Sequence, residues 1–254
     1  SFENKMSYVE NGVNYGEGIS LPAGENSEII WAPVNCGYEP ARGTNQGYPY
    51  GKLYQWGRKD GSGYDDGSTF RETILQNFKN EKYQWDGTSE ISPEADKFYA
   101  GQSGSTDWII LKNDNLWNNN APDATTTKTQ YDPCPEGWRV PTDAELKTLF
   151  DNNIRHSFAT NNEPNDKHNG MKGVWFYGTT SETDGNKVFF PAAGYRNSYS
   201  SCVERSTNGN YWSSTVKDND KAWYLNFYDM GIGPNIKMNA RGRDCGQSIR
   251  CVKE

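Results

Sequence analysis

The stretch that decides the fold is "DPCPEGWRVPTDAELKTLF", residues 132–150. Thr142 is followed three positions later by Glu145, and this spacing predicts a capping box. In that arrangement the threonine side chain accepts a backbone N–H while the glutamate reaches back to the N-cap. The apolar residues that follow recur at the spacing of one helical face: Leu146, Leu149 and Phe150. The segment therefore predicts a short strand and then a helix of about three turns.

Cys134 lies between two prolines in this stretch, and its role decides whether the protein is read as an enzyme. A nucleophile, a metal ligand and half of a disulfide are all compatible with the local sequence. The chain has five cysteines, none in a C-x-x-C pair and none at zinc-finger spacing. A reactive thiolate needs a nearby cation or helix N-terminus. The two histidines, His156 and His168, lie in a polar segment and are expected to be solvated rather than zinc ligands.

The composition excludes two classes of function. Hydrophobic residues make up only 33% of the chain but aromatic residues 14%, so the expected core is built mainly of rings. The formal net charge is −7 and no basic block is present, which argues against nucleic-acid binding. No apolar run is long enough to span a membrane.

The chain opens at Ser1 without a charged and apolar leader, yet its loop-heavy, Asn- and Tyr-rich character favours an exported protein.

We predict one domain over residues 1–254, in three parts. Residues 1–30 read as an N-terminal arm, 31–130 as an N-terminal part, and 131–254 as a helix followed by late strands. Trp223, Leu225 and Phe227 alternate with polar or amphipathic residues, as a half-buried strand requires. Ser92 before Pro93 predicts a second helix, and residues 68–78 predict one or two helical turns. The order of elements indicates an α+β fold.

Five motifs extend this interpretation: "LYQWGRKDG", "DPCPEGWRVPTDAEL", "FFPAAGYR", "YWSST" and "SIRCVKE". In this order, from Trp31 to the C-terminus, the chain resembles the Fibrobacter succinogenes major paralogous domain. The resemblance implies an α+β, C-type-lectin-like fold with short antiparallel strands, one or two helices and long loops. It also implies distant similarity to formylglycine-generating enzymes. Such domains are expected at the surface of Gram-negative anaerobes, in lipoproteins or fimbrial tip proteins.

The resemblance also implies a pairing of cysteines. The motifs "CPEGWRVP" and "SIRCV" carry cysteines in the family, which implies a Cys134–Cys251 bridge. Cys202 and Cys245 then remain for a second disulfide, and Cys36 is expected to be a buried free thiol. An enzyme of the formylglycine-generating type would instead need a reduced, metal-binding pair, for which Cys245 and Cys251 are the only closely spaced cysteines.

A ligand surface is expected in the long segments between the late strands, 195–210 and 229–247. In C-type-lectin-like folds these positions form the binding surface, and tyrosine and arginine supply rigid rings and polar contacts. The candidate ligand-binding residues are Tyr195, Arg196, Tyr199, Arg205, Arg241 and Arg243. For Trp212, Trp223 and Phe227 a place in the core is the preferred interpretation.

A calcium site is a weaker prediction, and no other cofactor is expected. Glu163, Asn165 and Asp166 lie in "NNEPND", which contains the Glu-Pro-Asn tripeptide of sugar-binding C-type lectins. Those lectins need a second acidic-amide pair on a neighbouring strand, which this sequence lacks. A polar turn is the favoured interpretation.

Together these features predict a non-catalytic adhesion or ligand-recognition domain at the cell surface, exported through the periplasm of a Gram-negative bacterium. Its expected partners are a host or microbial glycan or protein, and pilus subunits. Two alternatives stay open: a carbohydrate-binding module of a glycan-utilisation system, and a modifying enzyme of the formylglycine-generating type.

Overall fold

The computed structural model describes residues 6–44, 46–64, 81–95, 97–99, 106–119, 127–151, 154–178, 186–231 and 233–254. The strands of these residues, β1 to β16 in chain order, are Ser7–Glu10, Val13–Glu17, Ile19–Pro22, Glu28–Trp31, Tyr54–Gln55, Trp138–Arg139, Arg155–Thr160, Lys172–Tyr177, Lys187–Pro191, Tyr195–Arg196, Cys202–Val203, Asn208–Val216, Lys221–Asp229, Pro234–Gly242, Gly246–Gln247 and Val252–Lys253. Helix α1 is Asp143–Lys147, and a 3-10 turn, Thr148–Phe150, continues it.

The strands form several small antiparallel sheets. Their orders are β1-β2, β3-β4-β16-β6, β11-β10-β15-β5, β7-β8-β9 and β12-β13-β14. The last two strands of the chain, β15 and β16, therefore lie inside two different sheets. No helix among the described residues is long and apolar enough to cross a membrane.

The predicted α+β, C-type-lectin-like fold is wrong, because the described residues are mostly β-strand and contain one short helix. The helix predicted at Ser92 is absent: residues 91–94 are irregular. Tyrosine hydroxyls take the backbone N–H groups there, since Tyr83 accepts from Ser92 and Tyr99 accepts from Glu94. The turns predicted at 68–78 lie outside the described residues.

The capping box of the opening segment is confirmed. Glu145 N donates to Thr142 Oγ1 at 3.3 Å, and Thr142 N donates to Glu145 Oε1 at 2.9 Å. Arg139 on β6 also forms an ion pair with Glu145 at 2.6 Å, which joins the strand to the helix start. The helix is shorter than predicted because its last turn tightens into a 3-10 turn, which leaves Leu146 and Leu149 fully buried.

Aromatic rings dominate the core, as the composition predicts. One buried cluster is built around tryptophans: Trp56, Trp108, Trp117, Trp138 and Trp212. The second contains Trp31, Phe176, Phe190, Tyr211 and Phe227. Trp223 is only partly buried, which corrects its expected place in the core. The N-terminal arm belongs to these clusters, since Tyr8 and Leu21 are fully buried.

The Cys134–Cys251 disulfide joins the segment before β6 to the segment before β16. Its Cα atoms lie 6.0 Å apart across 117 positions of sequence. Cys36 is a buried free thiol, as expected, and accepts a hydrogen bond from Tyr54 Oη at 3.4 Å. Its sulfur and the two bridged sulfurs lie within 4.8 Å of one another. Since two of the three are oxidised, they do not offer thiolates to a metal.

Removing this bridge is expected to destabilise the domain. Replacing both Cys134 and Cys251 by alanine should lower the free energy of unfolding by about 4–5 kcal/mol, because the unfolded chain loses a long closed loop. Urea denaturation of the variant and the wild type measures this difference. As a control, Cys36→Ala should keep the Cys134–Cys251 bridge in peptide maps by mass spectrometry. A bridge that disappears in Cys36→Ala would contradict the pairing.

Asp132 holds the loop of Cys134 against β6. Its Oδ1 accepts from Cys134 N at 2.8 Å and its Oδ2 accepts from Val140 N at 2.9 Å. The side chain is buried, and burial raises the pKa of Asp132 to about 7. The folded protein therefore binds a proton at this carboxyl in a pH range where the unfolded chain has already released it.

This pKa gives a pH dependence of defined sign. A carboxyl whose pKa is raised on folding stabilises the fold most below its unfolded pKa, and the stabilisation is lost as pH rises towards 7. Between about pH 4 and pH 8 the free energy of unfolding should fall by on the order of 2–4 kcal/mol from this group. Asp132→Asn should show a shallower decline in urea denaturation. The exposed Asp229→Asn should keep the wild-type slope, and equal slopes in all three proteins would refute the assignment.

Candidate recognition site

The sheet β12-β13-β14 has two faces of different character, because side chains alternate along each strand. The core face carries apolar residues in register: Tyr211, Leu225 and Met238. The opposite face carries polar and aromatic residues in register: Asn210, Asn226 and Lys237 in one row, Trp212, Tyr224 and Asn239 in the next. Its residues on β12 and β13 are buried, Trp212 and Tyr224 in the first aromatic cluster, so that only Lys237 and Asn239 on β14 are exposed. We call this second side of the sheet the polar face.

Arg241 lies at one end of the polar face, held by rings and amides. Its guanidinium carbon is 3.8 Å from the ring centroid of Tyr195 and 4.6 Å from that of Tyr224. Its Nη1 donates to Asn210 Oδ1 at 3.1 Å and to Gln247 Oε1 at 2.9 Å. No carboxylate among the described residues forms an ion pair with it. The charge is therefore positioned by neutral groups.

One edge of this guanidinium is open. Nη1 carries two N–H groups, and its two hydrogen bonds use both. Nε and Nη2 make no hydrogen bond to any residue that the structure describes, and the side chain is partly exposed. This edge is the pair of parallel donors that arginine uses to bind a carboxylate side-on. The site thus presents a fixed, accessible fork of donors.

Two buried amides behind Arg241 each keep a donor without a partner. Asn210 and Gln247 are fully buried, and the guanidinium fixes their orientation because it can only donate. Their oxygens face Arg241, which leaves Asn210 Nδ2 and Gln247 Nε2 without a hydrogen-bond partner among the described residues. Buried donors without partners are uncommon in folded proteins. They mark this place as polar beyond what packing requires.

The two tyrosines remain neutral at physiological pH. Burial raises the pKa of Tyr195 and of Tyr224, and the nearby Arg241 only partly offsets it. Both rings therefore contribute an uncharged aromatic surface, and the guanidinium is the charge of the site.

The structure brings together only two of the six predicted ligand residues, Tyr195 and Arg241. Arg196 and Arg243 are buried, so the prediction that they contact a ligand is corrected. Arg196 donates to Ser62 Oγ at 3.1 Å and to Ser200 O at 2.9 Å. Arg243 donates to Asp114 Oδ1 at 2.9 Å. Both arginines join distant parts of the chain.

The other two candidates lie in different surroundings. Arg205 lies between the rings of Tyr50 and Tyr64, with 4.0 Å from its guanidinium carbon to each centroid. Tyr199 is 81% exposed on a turn that Asn197 stabilises by accepting from its backbone N–H. No described contact joins Arg205 or Tyr199 to Arg241.

The residues of the predicted calcium site serve other contacts. Asp166 Oδ1 accepts from Asn161 Nδ2 at 3.1 Å and from His168 N at 2.8 Å. Glu163 forms an ion pair with Lys187, and Asn165 is exposed. These contacts belong to a polar turn. His168 is buried rather than solvated, beside Asp166.

The predicted Cys202–Cys245 bridge is absent, for a geometric reason. Cys202 pairs with Arg196, and Arg196 pairs on its other side with Gly246. Two strand spacings, roughly 9–10 Å, therefore separate the backbones of the two cysteines, beyond the reach of about 7 Å that a disulfide allows. Cys245 is a buried thiol whose pKa burial raises to about 12.

Three residues of the site were not predicted: Asn210, Tyr224 and Gln247. The alternation of Asn and aromatic residues along β12 and β13 carried the signal for the first two. Since every second residue of these strands faces the same way, "NGNYW" and "YLNFY" place their asparagines on one face. The contribution of Gln247 depends on β15, which the sequence did not reveal.

The comparisons with known proteins bear on this chain through one family. The model of the Fibrobacter succinogenes major domain matches residues 13–253. This chain belongs to that family. No curated protein and no solved structure gave a significant match.

The motifs that mark the Fibrobacter succinogenes major domain in this chain have structural contacts. Arg139 of "CPEGWRVP" pairs with Glu145, and Arg250 of "SIRCVKE" is fully buried. The candidate site lies on β10 and on β12 to β15, and its Tyr195 belongs to a third motif, "FFPAAGYR". In this member of the family, "CPEGWRVP" and "SIRCVKE" therefore serve the fold, while "FFPAAGYR" also contributes to the candidate site.

Arg243 is expected to be a structural residue. It is paired with Asp107 at 3.6 Å, and Asp107 is itself buried. Arg243→Ala leaves that carboxylate without its cation, so the free energy of unfolding should fall by about 3–5 kcal/mol in urea denaturation. Arg155→Ala, an exposed control, should change it by no more than about 0.5 kcal/mol. Equal stability of the two variants would contradict this role.

Proposed function

We propose that this domain is a non-catalytic recognition domain of the cell surface, which binds its ligand on the polar face at Arg241. The observation that carries the proposal is the open Nε–Nη2 edge of a positioned guanidinium. Arginine and tyrosine are the residues most enriched at binding hot spots. Here two tyrosines and two amides hold the arginine in one orientation before a ligand arrives, which reduces the entropy lost on binding.

Surface adhesion fits the remaining features. A bridged Cys134–Cys251 pair suits an oxidising compartment outside the cytosol, in keeping with export through the periplasm of a Gram-negative bacterium. The fimbrial tip or a surface lipoprotein is then the proposed location, with host or microbial surface molecules as ligands and pilus subunits as partners.

A carbohydrate-binding module of a glycan-utilisation system is the second candidate. The polar face favours it through Asn239, which is exposed and whose Nδ2 makes no hydrogen bond to a described residue, so that it can donate to a sugar hydroxyl. The enzyme alternative has less support. Cys251 is bridged to Cys134, so the pair with Cys245 is not available as two thiols, and a thiol with a pKa of about 12 is a poor nucleophile.

Binding assays with Arg241 variants test the proposal. The purified domain is screened on a glycan array and on immobilised surface proteins, and every ligand found is titrated against Arg241→Ala and Arg241→Lys. Loss of a hydrogen-bonded charge should weaken binding by about 10- to 100-fold. Lysine cannot reproduce the fork of donors, so it should not restore affinity.

The matched control is Arg155→Ala, which removes an exposed arginine from a different sheet and should bind like the wild type. Thermal unfolding shows that the variants remain folded. Ligands that bind wild type and both Arg241 variants equally would refute the polar face as the recognition site.

A further inference from the structure

We infer that the Arg241 site takes the carboxylate of an acidic sugar, such as a uronic or sialic acid. This inference rests on the proposed recognition function and names the ligand class for the same site. Its basis is the counter-ion that Arg241 lacks among the described residues, together with its open Nε–Nη2 edge and the exposed Asn239 on the same face.

The other arginines of the interior show how this protein normally neutralises the charge. Arg243 pairs with Asp107 and Asp114, and Arg139 pairs with Glu145. Where no carboxylate is present, carbonyl oxygens surround the guanidinium and it is closed to solvent: Arg250 is fully buried and donates to Ala32 O and Phe189 O.

Arg241 follows neither pattern. It is partly exposed, it has no carboxylate partner in the part of the chain that the structure describes, and its two acceptors are the amide oxygens of Asn210 and Gln247. A carboxylate placed side-on at Nε and Nη2 supplies the missing negative charge and two parallel hydrogen bonds. The planar carboxylate group matches the one planar pair of N–H donors, on Nε and Nη2, that Arg241 leaves free. A phosphate or sulfate ester prefers several cations around it, and only the exposed Lys237 shares this face with Arg241 on β14.

The surroundings favour a sugar over an acidic peptide. Asn239 lies two positions from Arg241 on the polar face and is exposed. Its oxygen accepts from Ala240 N at 2.9 Å, while its Nδ2 makes no hydrogen bond to a described residue. Asn235 and Tyr228 lie further along the same face, joined by a hydrogen bond of 3.1 Å. At about 3.3 Å per residue, Asn239 lies close enough to Arg241 to donate to a hydroxyl of the pyranose ring that carries the carboxylate. Asn235 and Tyr228, roughly 20 Å from Arg241 by the same spacing, suit a further unit of an oligosaccharide.

Nuclear magnetic resonance titrations test the inference with defined probes. Free galacturonate, glucuronate and N-acetylneuraminate are compared with galactose and glucose, with acetate, with inorganic phosphate and with a short oligoaspartate peptide. The acidic sugars should perturb signals of the polar face at millimolar concentration, and the neutral sugars should bind about 10- to 100-fold more weakly. Binding should also weaken as salt increases.

Two isosteric variants supply the missing counter-ion from within the protein. Gln247→Glu and Asn210→Asp place a carboxylate against Nη1 of Arg241, so acidic sugars should bind them at least about tenfold more weakly. Gln247→Met removes the acceptor without adding charge and should lose less affinity. Thermal unfolding confirms that each variant is folded. The affinity for acidic sugars is then compared with wild type in the more stable of the two charged variants.

The outcomes separate this inference from the recognition function. One set of outcomes would overturn the acidic sugar and keep the site. In it, neutral sugars bind as well as acidic ones, or oligoaspartate or phosphate binds in place of the acidic sugars, and Arg241→Lys loses all of this binding. Acidic sugars that bind wild type and Arg241→Lys alike would overturn the site as well. No perturbation by any of the acidic sugars would overturn the inference.

Discussion

A single buried guanidinium, that of Arg250, holds the C-terminal segment in the middle of the molecule. Its Nε donates to Asn35 Oδ1 at 2.9 Å, and its Nη groups donate to the carbonyls of Ala32 and Phe189. Burial lowers its pKa to about 10, so it remains charged at neutral pH and needs these acceptors. Because they come from the segment after β4 and from β9, the small sheets cannot separate without exposing an unpaired charge. The bridge from Cys251 to Cys134 ties the same segment to the loop that precedes β6.

The candidate site depends on this arrangement through β15. Gln247 pairs with Tyr54 of β5, and the neighbouring Gly246 pairs with Arg196 of β10. The position of the buried Gln247 amide is therefore set by the sheet that the C-terminal segment enters. That amide and Asn210 then orient Arg241. A charge on the surface is positioned by residues of the interior, which is how a rigid site obtains its geometry without a carboxylate partner.

Local interactions were predictable from the sequence. The capping box of Thr142 and Glu145 needs only neighbours in the chain, and alternation in "AWYLNFY" indicates the strand itself. The prediction that this strand is half-buried is wrong, because Tyr224 and Asn226 on its other face are also buried. The length of α1 was not predictable, because Leu146 and Leu149 find their places in the core only when β12 and β13 pack against them. The helix expected at Ser92 was lost to the hydroxyls of Tyr83 and Tyr99, which come from outside the local segment.

By itself, the sequence determined the family, the aromatic core and, through the two family motifs, the Cys134–Cys251 bridge. It also placed tyrosine and arginine in the late segments. Tertiary structure alone decided which arginines are accessible: Arg196 and Arg243 are buried, while Arg241 keeps one edge open. It also decided that Cys202 and Cys245 lie two strands apart. The physical reason is the same in both cases. Burial and distance depend on pairing between strands that are far apart in sequence, and no local pattern specifies which strands become neighbours.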